Sequence, residues 1–302
     1  AGGSEEIISN TNECISCEQN NIENITEGIN SVAILDNDVS MCASCGKEGN
    51  RDDMNTCNKC QLVKYCNAAC KKKHRHKHKK QCERRVAELH DEKLFKQPPQ
   101  NEDCPICFQM LPSLIKGWRY KLCCGKVICN GCIHAPVFDN QGNKVDNEIC
   151  PFCRVPTPST EEEINKMRMK RMKAGDSIAM YNIGMNYFSG TNGLPQDHTK
   201  ALEHWYRASE LGYTVAYNNI GYAYERGRGV EMDKKKAKHY YELAAMGSIN
   251  EARNYLGLEE EEVGNMDRAL KHWMIAAKSG DNNSMMKIQE LYSNGYATKD
   301  IY

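Results

Sequence analysis

Residues 42–82 read CASCGKEGNRDDMNTCNKCQLVKYCNAACKKKHRHKHKKQC, and residues 104–153 read CPICFQMLPSLIKGWRYKLCCGKVICNGCIHAPVFDNQGNKVDNEICPFC. Together they hold fifteen of the chain's 17 cysteines. With one histidine, these resolve into two successive sets of eight candidate zinc ligands. The first set is Cys42-x2-Cys45, Cys57-x2-Cys60, Cys66-x3-Cys70 and His78-x3-Cys82. The second is Cys104-x2-Cys107, the adjacent pair Cys123-Cys124, Cys129-x2-Cys132 and Cys150-x2-Cys153. Paired spacing lets a short turn present two donors to one tetrahedral ion, and sixteen donors suffice for about four zinc ions with no open coordination position. Such zinc is structural and shapes a surface; it does not activate water.

A disulfide framework is the competing reading of so many cysteines. The start, AGGSEEIISNTNEC, has no basic region followed by an apolar stretch, as a secretory signal would. The cysteine count is odd and most pairs lie two residues apart, which suits metal ligation better than cross-linking. No run of about 18 apolar residues offers a membrane span. These features point to a reducing compartment, cytoplasmic or nuclear.

Around the cysteines the composition describes several small units. The chain has 302 residues, which allows about two or three domains. The cysteine-rich part is poor in Ile, Leu, Val and Phe, so metal ligation must supply its folding energy. With 40 basic and 40 acidic residues the net charge is zero, which argues against a protein that coats nucleic acid along its length. Residues 1–40 lack helical or strand periodicity and read as disordered; Cys14 and Cys17 there read as free thiols or the remnant of a finger. Lys71 to Lys80 holds seven Lys or Arg and three His. It reads as a solvated helix face, with a nuclear localisation signal or nucleic-acid patch as the alternative. His74 and His76 compete with His78, but the x3 spacing to Cys82 selects His78. Residues 83–100 read as a helical linker or an extension of the first finger, with Val86, Leu89 and Leu94 on one side and Pro98-Pro99 at its end.

After Arg154 cysteine vanishes. Thr160 followed by Glu163 is a capping-box pattern that opens a helix. From there the chain repeats itself: Gly184, Gly221 and Gly257 share a repeat position, as do Ala179, Ala216 and Ala252. In the second half of each unit Ala201, Ala237 and Ala269 align, then Trp205, Tyr241 and Trp273, then Ala208, Ala244 and Ala276. This is the pattern of a solenoid of helix pairs, in which small residues let helices approach and aromatics fill the gaps. Gly190 and Gly227 follow the first helix of a unit, and Asp197 and Asp233 precede the second as caps. The third unit lacks about four loop residues, and a fourth begins at Asp281 and supplies one helix. The loop glycines are no phosphate cradle, because no strand precedes them and no Lys-Ser/Thr follows. His204 and His272 read as packing or surface residues.

Three resemblances follow from these motifs. Residues 42–82 resemble a MYND finger, to which Tyr65 before Cys66 also conforms, whereas Arg75 stands where a tryptophan is usual. The resemblance implies a cross-brace, with Cys42, Cys45, Cys66 and Cys70 on one ion and Cys57, Cys60, His78 and Cys82 on the other. It also implies binding of short proline-containing peptides. No stretch resembling the SET methyltransferase domain that accompanies some MYND fingers is present.

Residues 101–156 resemble a RING finger in an all-cysteine variant, similar to the one in a deadenylase-complex ubiquitin ligase. Lys126 stands near the usual histidine, so Cys123 supplies the missing ligand, with His134 as the substitute. The resemblance then implies Cys104, Cys107, Cys129 and Cys132 on one zinc and Cys123, Cys124, Cys150 and Cys153 on the other. Ile106 corresponds to the apolar residue such ligases press against a ubiquitin-conjugating enzyme. Pro151 follows the seventh ligand, and Arg154 follows the eighth, where active ligases place an arginine that bonds both conjugating enzyme and ubiquitin. Residues 160–302 resemble Sel-one-like repeats, relatives of tetratricopeptide repeats, which implies a helical surface for other proteins. The order of the three resembles protein families of algae and other protists.

The expectation is a multidomain, mainly α protein: two zinc-stabilised cross-brace fingers followed by an all-α solenoid. Its expected function is RING-type ubiquitin ligation without a covalent ubiquitin intermediate, the partners being a ubiquitin-conjugating enzyme and protein substrates held by the MYND finger and the repeats. The rival readings are a non-enzymatic adaptor and a nuclear transcription-associated factor using the basic tract.

Overall fold

The computed structural model describes residues 39–97, 102–111, 117–135, 137–138, 141–145 and 149–296. It divides into two compact units, one ending at Ala87 and one starting at Glu88. The expected disorder up to residue 38, with Cys14 and Cys17, lies outside the described residues, while Val39 and Ser40 belong to a strand.

In the first unit β1 (Val39–Met41) pairs antiparallel with β2 (Glu48–Asn50), and β3 (Asn55–Thr56) with β4 (Lys64–Tyr65). The helix α1 (Ala68–Leu94) follows. The buried cluster of this unit is four cysteines with Met54 and Tyr65. Two apolar side chains cannot offset the ordering of some forty residues, which leaves ligation as the stabilising term. The basic tract and the expected linker helix are one continuous helix, because no Gly or Pro interrupts residues 68–94. Along it Val86 is exposed, Leu89 half-buried and Leu94 buried, so the apolar side expected for the linker holds at its end only.

The second unit begins with the last turns of α1. A hairpin of β5 (Trp118–Lys121) and β6 (Lys126–Cys129) leads into the short helix α2 (Asn130–His134), then the small pair β7 (Val137–Phe138) and β8 (Lys144–Val145). Eight helices follow: α3 (Glu161–Lys173), α4 (Ser177–Ser189), α5 (His198–Glu210), α6 (Val215–Arg226), α7 (Lys234–Met246), α8 (Asn250–Glu262), α9 (Met266–Lys278) and α10 (Asn282–Ser293). No helix among the described residues is long and apolar enough to cross a membrane.

The boundaries follow the local signals. Thr160 and Glu163 form a complete capping box at α3. Asp197 and Asp233 accept from backbone N–H groups at the starts of α5 and α7. Gly190 and Gly227 close α4 and α6 in the left-handed conformation, which costs glycine nothing.

Packing within each pair of helices repeats one contact. The aligned alanines are fully buried, and Trp205, Tyr241 and Trp273 are at most 4% exposed. Each of these rings lies over the glycine of its partner helix. A Cβ on Gly184 would sit 2.6 Å from Trp205, one on Gly257 2.5 Å from Trp273, and one on Gly221 3.0 Å from Tyr241. Alanine gains about 1 kcal/mol of helix propensity over glycine, whereas overpacking a core costs ~1–3 kcal/mol. Gly184→Ala and Gly257→Ala are therefore expected to destabilise the repeats, and Gly221→Ala to come out near neutral, as read by urea unfolding. Equal midpoints for all three variants would contradict this contact.

Candidate metal centres

The sixteen candidate ligands gather into four tetrads, and in each the four donor atoms lie within 4.8 Å of one another. Cys42, Cys45, Cys66 and Cys70 form one, and Cys57, Cys60, His78 and Cys82 the next. Cys104, Cys107, Cys129 and Cys132 form the third, and Cys123, Cys124, Cys150 and Cys153 the fourth. In both segments, ligand pairs one and three converge on one site and pairs two and four on the other, the interleaving that defines a cross-brace. His74 instead lies 3.3 Å from the Tyr65 hydroxyl through Nδ1, and His134 is exposed and belongs to no tetrad.

The donor geometry fits zinc. Bonds of about 2.3 Å put the sulfurs of a tetrahedral site about 3.8 Å apart. The Sγ atoms are 3.7 Å apart for Cys45 and Cys66, 3.6 Å for Cys66 and Cys70, 3.8 Å for Cys57 and Cys82, and 3.7 Å for Cys107 and Cys129. In the fourth tetrad they are 3.9 Å for Cys124 and Cys150 and 3.4 Å for Cys123 and Cys153. His78 brings Nε2 to 3.2 Å from the Cys60 sulfur.

Four of the ligand pairs share one backbone device. The residue after the second cysteine is left-handed, at Gly46, Gln61, Phe108 and Arg154, with φ of 71°, 57°, 56° and 62°. Its N–H donates to the carbonyl of the first cysteine over 2.9, 3.0, 2.9 and 2.9 Å respectively. The turn aims further N–H groups at the first sulfur. At Cys42, N–H donation, foremost from Cys66, lowers the pKa to about 6. Burial pushes Cys57, Cys104 and Cys150 up, but the N–H groups of their own turns prevail and hold them at about 6, 6 and 7. The later thiols go the other way. Hydrogen bonding to Cys70 and burial push Cys66 up to about 12; burial and the neighbouring sulfurs push Cys132 up to about 12 and Cys82 up to about 11. Each tetrad thus holds one thiol low and at least one other high, the electrostatics of a site that needs a divalent cation to ionise fully.

The adjacent pair Cys123-Cys124 sits in a tight turn, where Gly125 donates to the Lys121 carbonyl over 2.8 Å. Two residues ahead of and within the first repeat hold that turn. Arg171 of α3 donates from Nε to the Leu122 carbonyl over 3.1 Å and from Nη2 to the Cys123 carbonyl over 2.6 Å. Asp176, the cap of α4, accepts from the Tyr120 hydroxyl over 2.7 Å. A Cβ on Gly125 would meet Asp176 Oδ2 at 2.7 Å, which is why the chain has glycine there. Nothing local in the sequence marks Arg171 or Asp176 for this task. Groups that orient metal ligands through hydrogen bonds change affinity by about 10–100-fold when removed. Arg171→Met is expected to weaken the fourth site by that factor in chelator competition, leaving the other three unchanged.

Of the remaining residues singled out in the sequence, Ile106 is half-buried against the third and fourth tetrads, Pro151 is half-buried, and Arg154 is exposed. Phe108 and Phe152, in the same two turns, are exposed.

Comparison with known proteins agrees with part of this. Residues 42–82 match the family model of the MYND finger, and residues 177–213 and 214–248 match that of the Sel1 repeat. A similar protein is the ERAD-associated E3 ubiquitin-protein ligase component HRD3B of Arabidopsis thaliana, 37% identical over 86 residues, covering 28% of this chain and 13% of that one. The corresponding HRD3A of Arabidopsis thaliana is 39% identical over 70 residues, covering 23% and 10%. The chain thus spans only a small part of the length of these relatives. Among solved structures, a Sel1 repeat protein from Oxalobacter formigenes is 29% identical over 47% of this chain and 58% of that one, with a TM-score of 0.42. MYND fingers and Sel1 repeats mediate protein–protein interaction. The chain therefore carries a zinc-binding MYND finger at residues 42–82 and Sel1 repeats across residues 177–248.

Proposed function

We propose that the second cysteine-rich segment is a RING-type finger, and that the chain is a ubiquitin-protein ligase whose MYND finger and repeats recruit protein substrates. The observation that carries this reading is the pairing of the third and fourth tetrads. Two interleaved four-cysteine sites hold the turns of residues 104–108 and 150–154, which bear Ile106 and Arg154. Zinc there supplies only closure of the fold. The chemistry belongs to the bound conjugating enzyme. A substrate lysine amine attacks the carbonyl of the ubiquitin thioester, the carbon–sulfur bond breaks, and the thiolate leaves as the isopeptide bond forms. None of the fifteen described cysteines takes part, because all of them lie in tetrads.

The role left to this chain is positioning. Ile106, with exposed Phe108 and Phe152 beside it in sequence and turn, offers an apolar face to the conjugating enzyme. Arg154 projects from a backbone fixed by its own N–H on the Cys150 carbonyl and by the Cys150 N–H on the Val155 carbonyl, over 2.9 and 2.8 Å. A guanidinium there can donate two hydrogen bonds at once and hold a thioester-linked ubiquitin in a reactive pose. The test is discharge of ubiquitin from a panel of charged conjugating enzymes by the full chain. Accelerated discharge to free lysine supports the ligase reading. No acceleration with any member leaves the chain a protein-interaction adaptor.

A further inference from the structure

The third repeat departs from the first two at two places. In the first two units a tyrosine stands three residues after the helix glycine, and a ring of the second helix stacks on it. Tyr187 stacks on His204 at 5.6 Å and Tyr224 on Tyr240 at 5.7 Å, with Lys200 and Lys236 over the tyrosine rings at 5.5 and 5.1 Å. In the third unit that position is Glu260, which carries no ring. The third unit also lacks loop residues equivalent to those that seat Val230 against the neighbouring pair in the second.

The end of α1 supplies both. Phe95 packs on His272, the counterpart of His204 and Tyr240, with centroids 4.8 Å apart. Arg268, the counterpart of Lys200 and Lys236, lies over the Phe95 ring at 5.2 Å. Leu94 is 1% exposed, inside the cluster formed by α7 and α8. Arg253 is also 1% exposed and donates from Nη2 to the Leu94 carbonyl over 3.1 Å, while its Nε and Nη1 have no partner. Its counterparts are Met180 and Tyr217, so a buried guanidinium occurs only in the unit that receives the segment. At the rim Arg268 pairs with Asp91, and His90 lies 3.3 Å from Glu242.

This is how a groove recognises a short peptide: one buried leucine, one aromatic, one backbone carbonyl taken by a buried donor, and one ion pair at the edge. Burying a guanidinium in a helical stack is costly unless an acceptor arrives, and the acceptor here is the carbonyl at the end of a helix. We propose that the groove of α7, α8 and α9 is a docking site for a helical peptide of a partner protein with an acidic residue three positions before a Leu-aromatic pair. Asp91–Phe95 fill it in cis, so that such a partner must displace them. The proposal goes beyond the ligase reading and does not depend on it.

The probe is a labelled peptide of residues 86–97. Full-length chain bearing Asp91→Lys and Phe95→Ala is expected to bind it at least about tenfold more tightly than wild type, because the tethered competitor has a high effective concentration. Adding Arg253→Met should remove that gain. Binding by the opened chain no tighter than wild type overturns the proposal, as does an Arg253→Met variant that binds equally well. If the opened chain loses its helical circular dichroism, wild type answers instead. Saturating peptide should speed amide exchange of Asp91–Phe95 several-fold while α8 and α9 stay protected, and unchanged exchange overturns the proposal. A wild-type dimer dissociated by the peptide would make the occupant a second copy, and the partner proposal would fall.

Discussion

Stripping the metal with a high-affinity chelator is expected to unfold residues 42–82 and the segment from Cys104 to Cys153 while most of the helical signal survives. Structural zinc contributes roughly 10–16 kcal/mol per site in small finger peptides, and the first finger has only Met54 and Tyr65 beside its buried cysteines. The helices α4 to α10 instead bury alanines and rings against one another. Elemental analysis of folded protein should return four zinc ions, one for each tetrad. A chelated sample whose α4–α10 amides also exchange at once would contradict the division. A fragment starting at Ser159 should be helical but weaker than the full chain, since it lacks Leu94, and loss of a buried leucine costs about 2–5 kcal/mol. Acid acts on the same sites. The folded pKa of Cys42, Cys57 and Cys104 lies at about 6, below the ordinary thiol value of 9.0. Their contribution is complete above the unfolded pKa and is lost as pH falls through the folded one. Zinc retention by the loaded, folded protein should therefore fall off as pH drops below about 6, read as zinc released to a metal indicator.

The second large effect concerns ubiquitin transfer. In a chain that discharges a charged conjugating enzyme, Arg154→Ala should leave docking intact and slow discharge about thirtyfold, the equivalent of about 2 kcal/mol from one charge-assisted contact in the transition state. Ile106→Ala should weaken docking itself and raise the enzyme concentration needed for half-maximal rate. Both should keep full zinc occupancy, because neither residue is a ligand. Arg154 occupies a left-handed position whose strain arginine, alanine and lysine bear alike, so these substitutions change the side chain and not the backbone cost. Arg154→Lys separates charge from geometry: it retains charge but not the planar pair of donors, and should recover only part of the rate.

Much of this architecture is readable from residue order alone because its causes are local or periodic. Paired cysteines needed only their spacing, the caps at Thr160, Asp197 and Asp233 only their neighbours, and the repeats only the recurrence of Gly, Ala and an aromatic. What escaped has other causes. Whether the helix after Cys82 is a separate linker or an extension of the finger stays open in the sequence, because no local signal marks either a break or a join within residues 68–94. The seat of Leu94 depends on Arg253, 159 residues away, and on a repeat position where Glu260 replaces a ring. The left-handed turns after Cys60, Cys107 and Cys153 hold Gln61, Phe108 and Arg154, where backbone preference alone would favour glycine.

Asp176 shows what such long-range tasks do to a sequence. Its Oδ1 accepts from the Ala179 N–H at the start of α4, and its Oδ2 accepts from the Tyr120 hydroxyl. Most helix caps can be exchanged among Asp, Asn, Ser and Thr with small losses, and Asp197 and Asp233 retain much of that freedom. The single oxygen of Ser or Thr can occupy one of these two positions and not both. Among the capping residues only asparagine, whose amide could donate to a reoriented tyrosine, also reaches both neighbours, so this cap fastens the β5–β6 hairpin to the start of α4 besides closing a helix end.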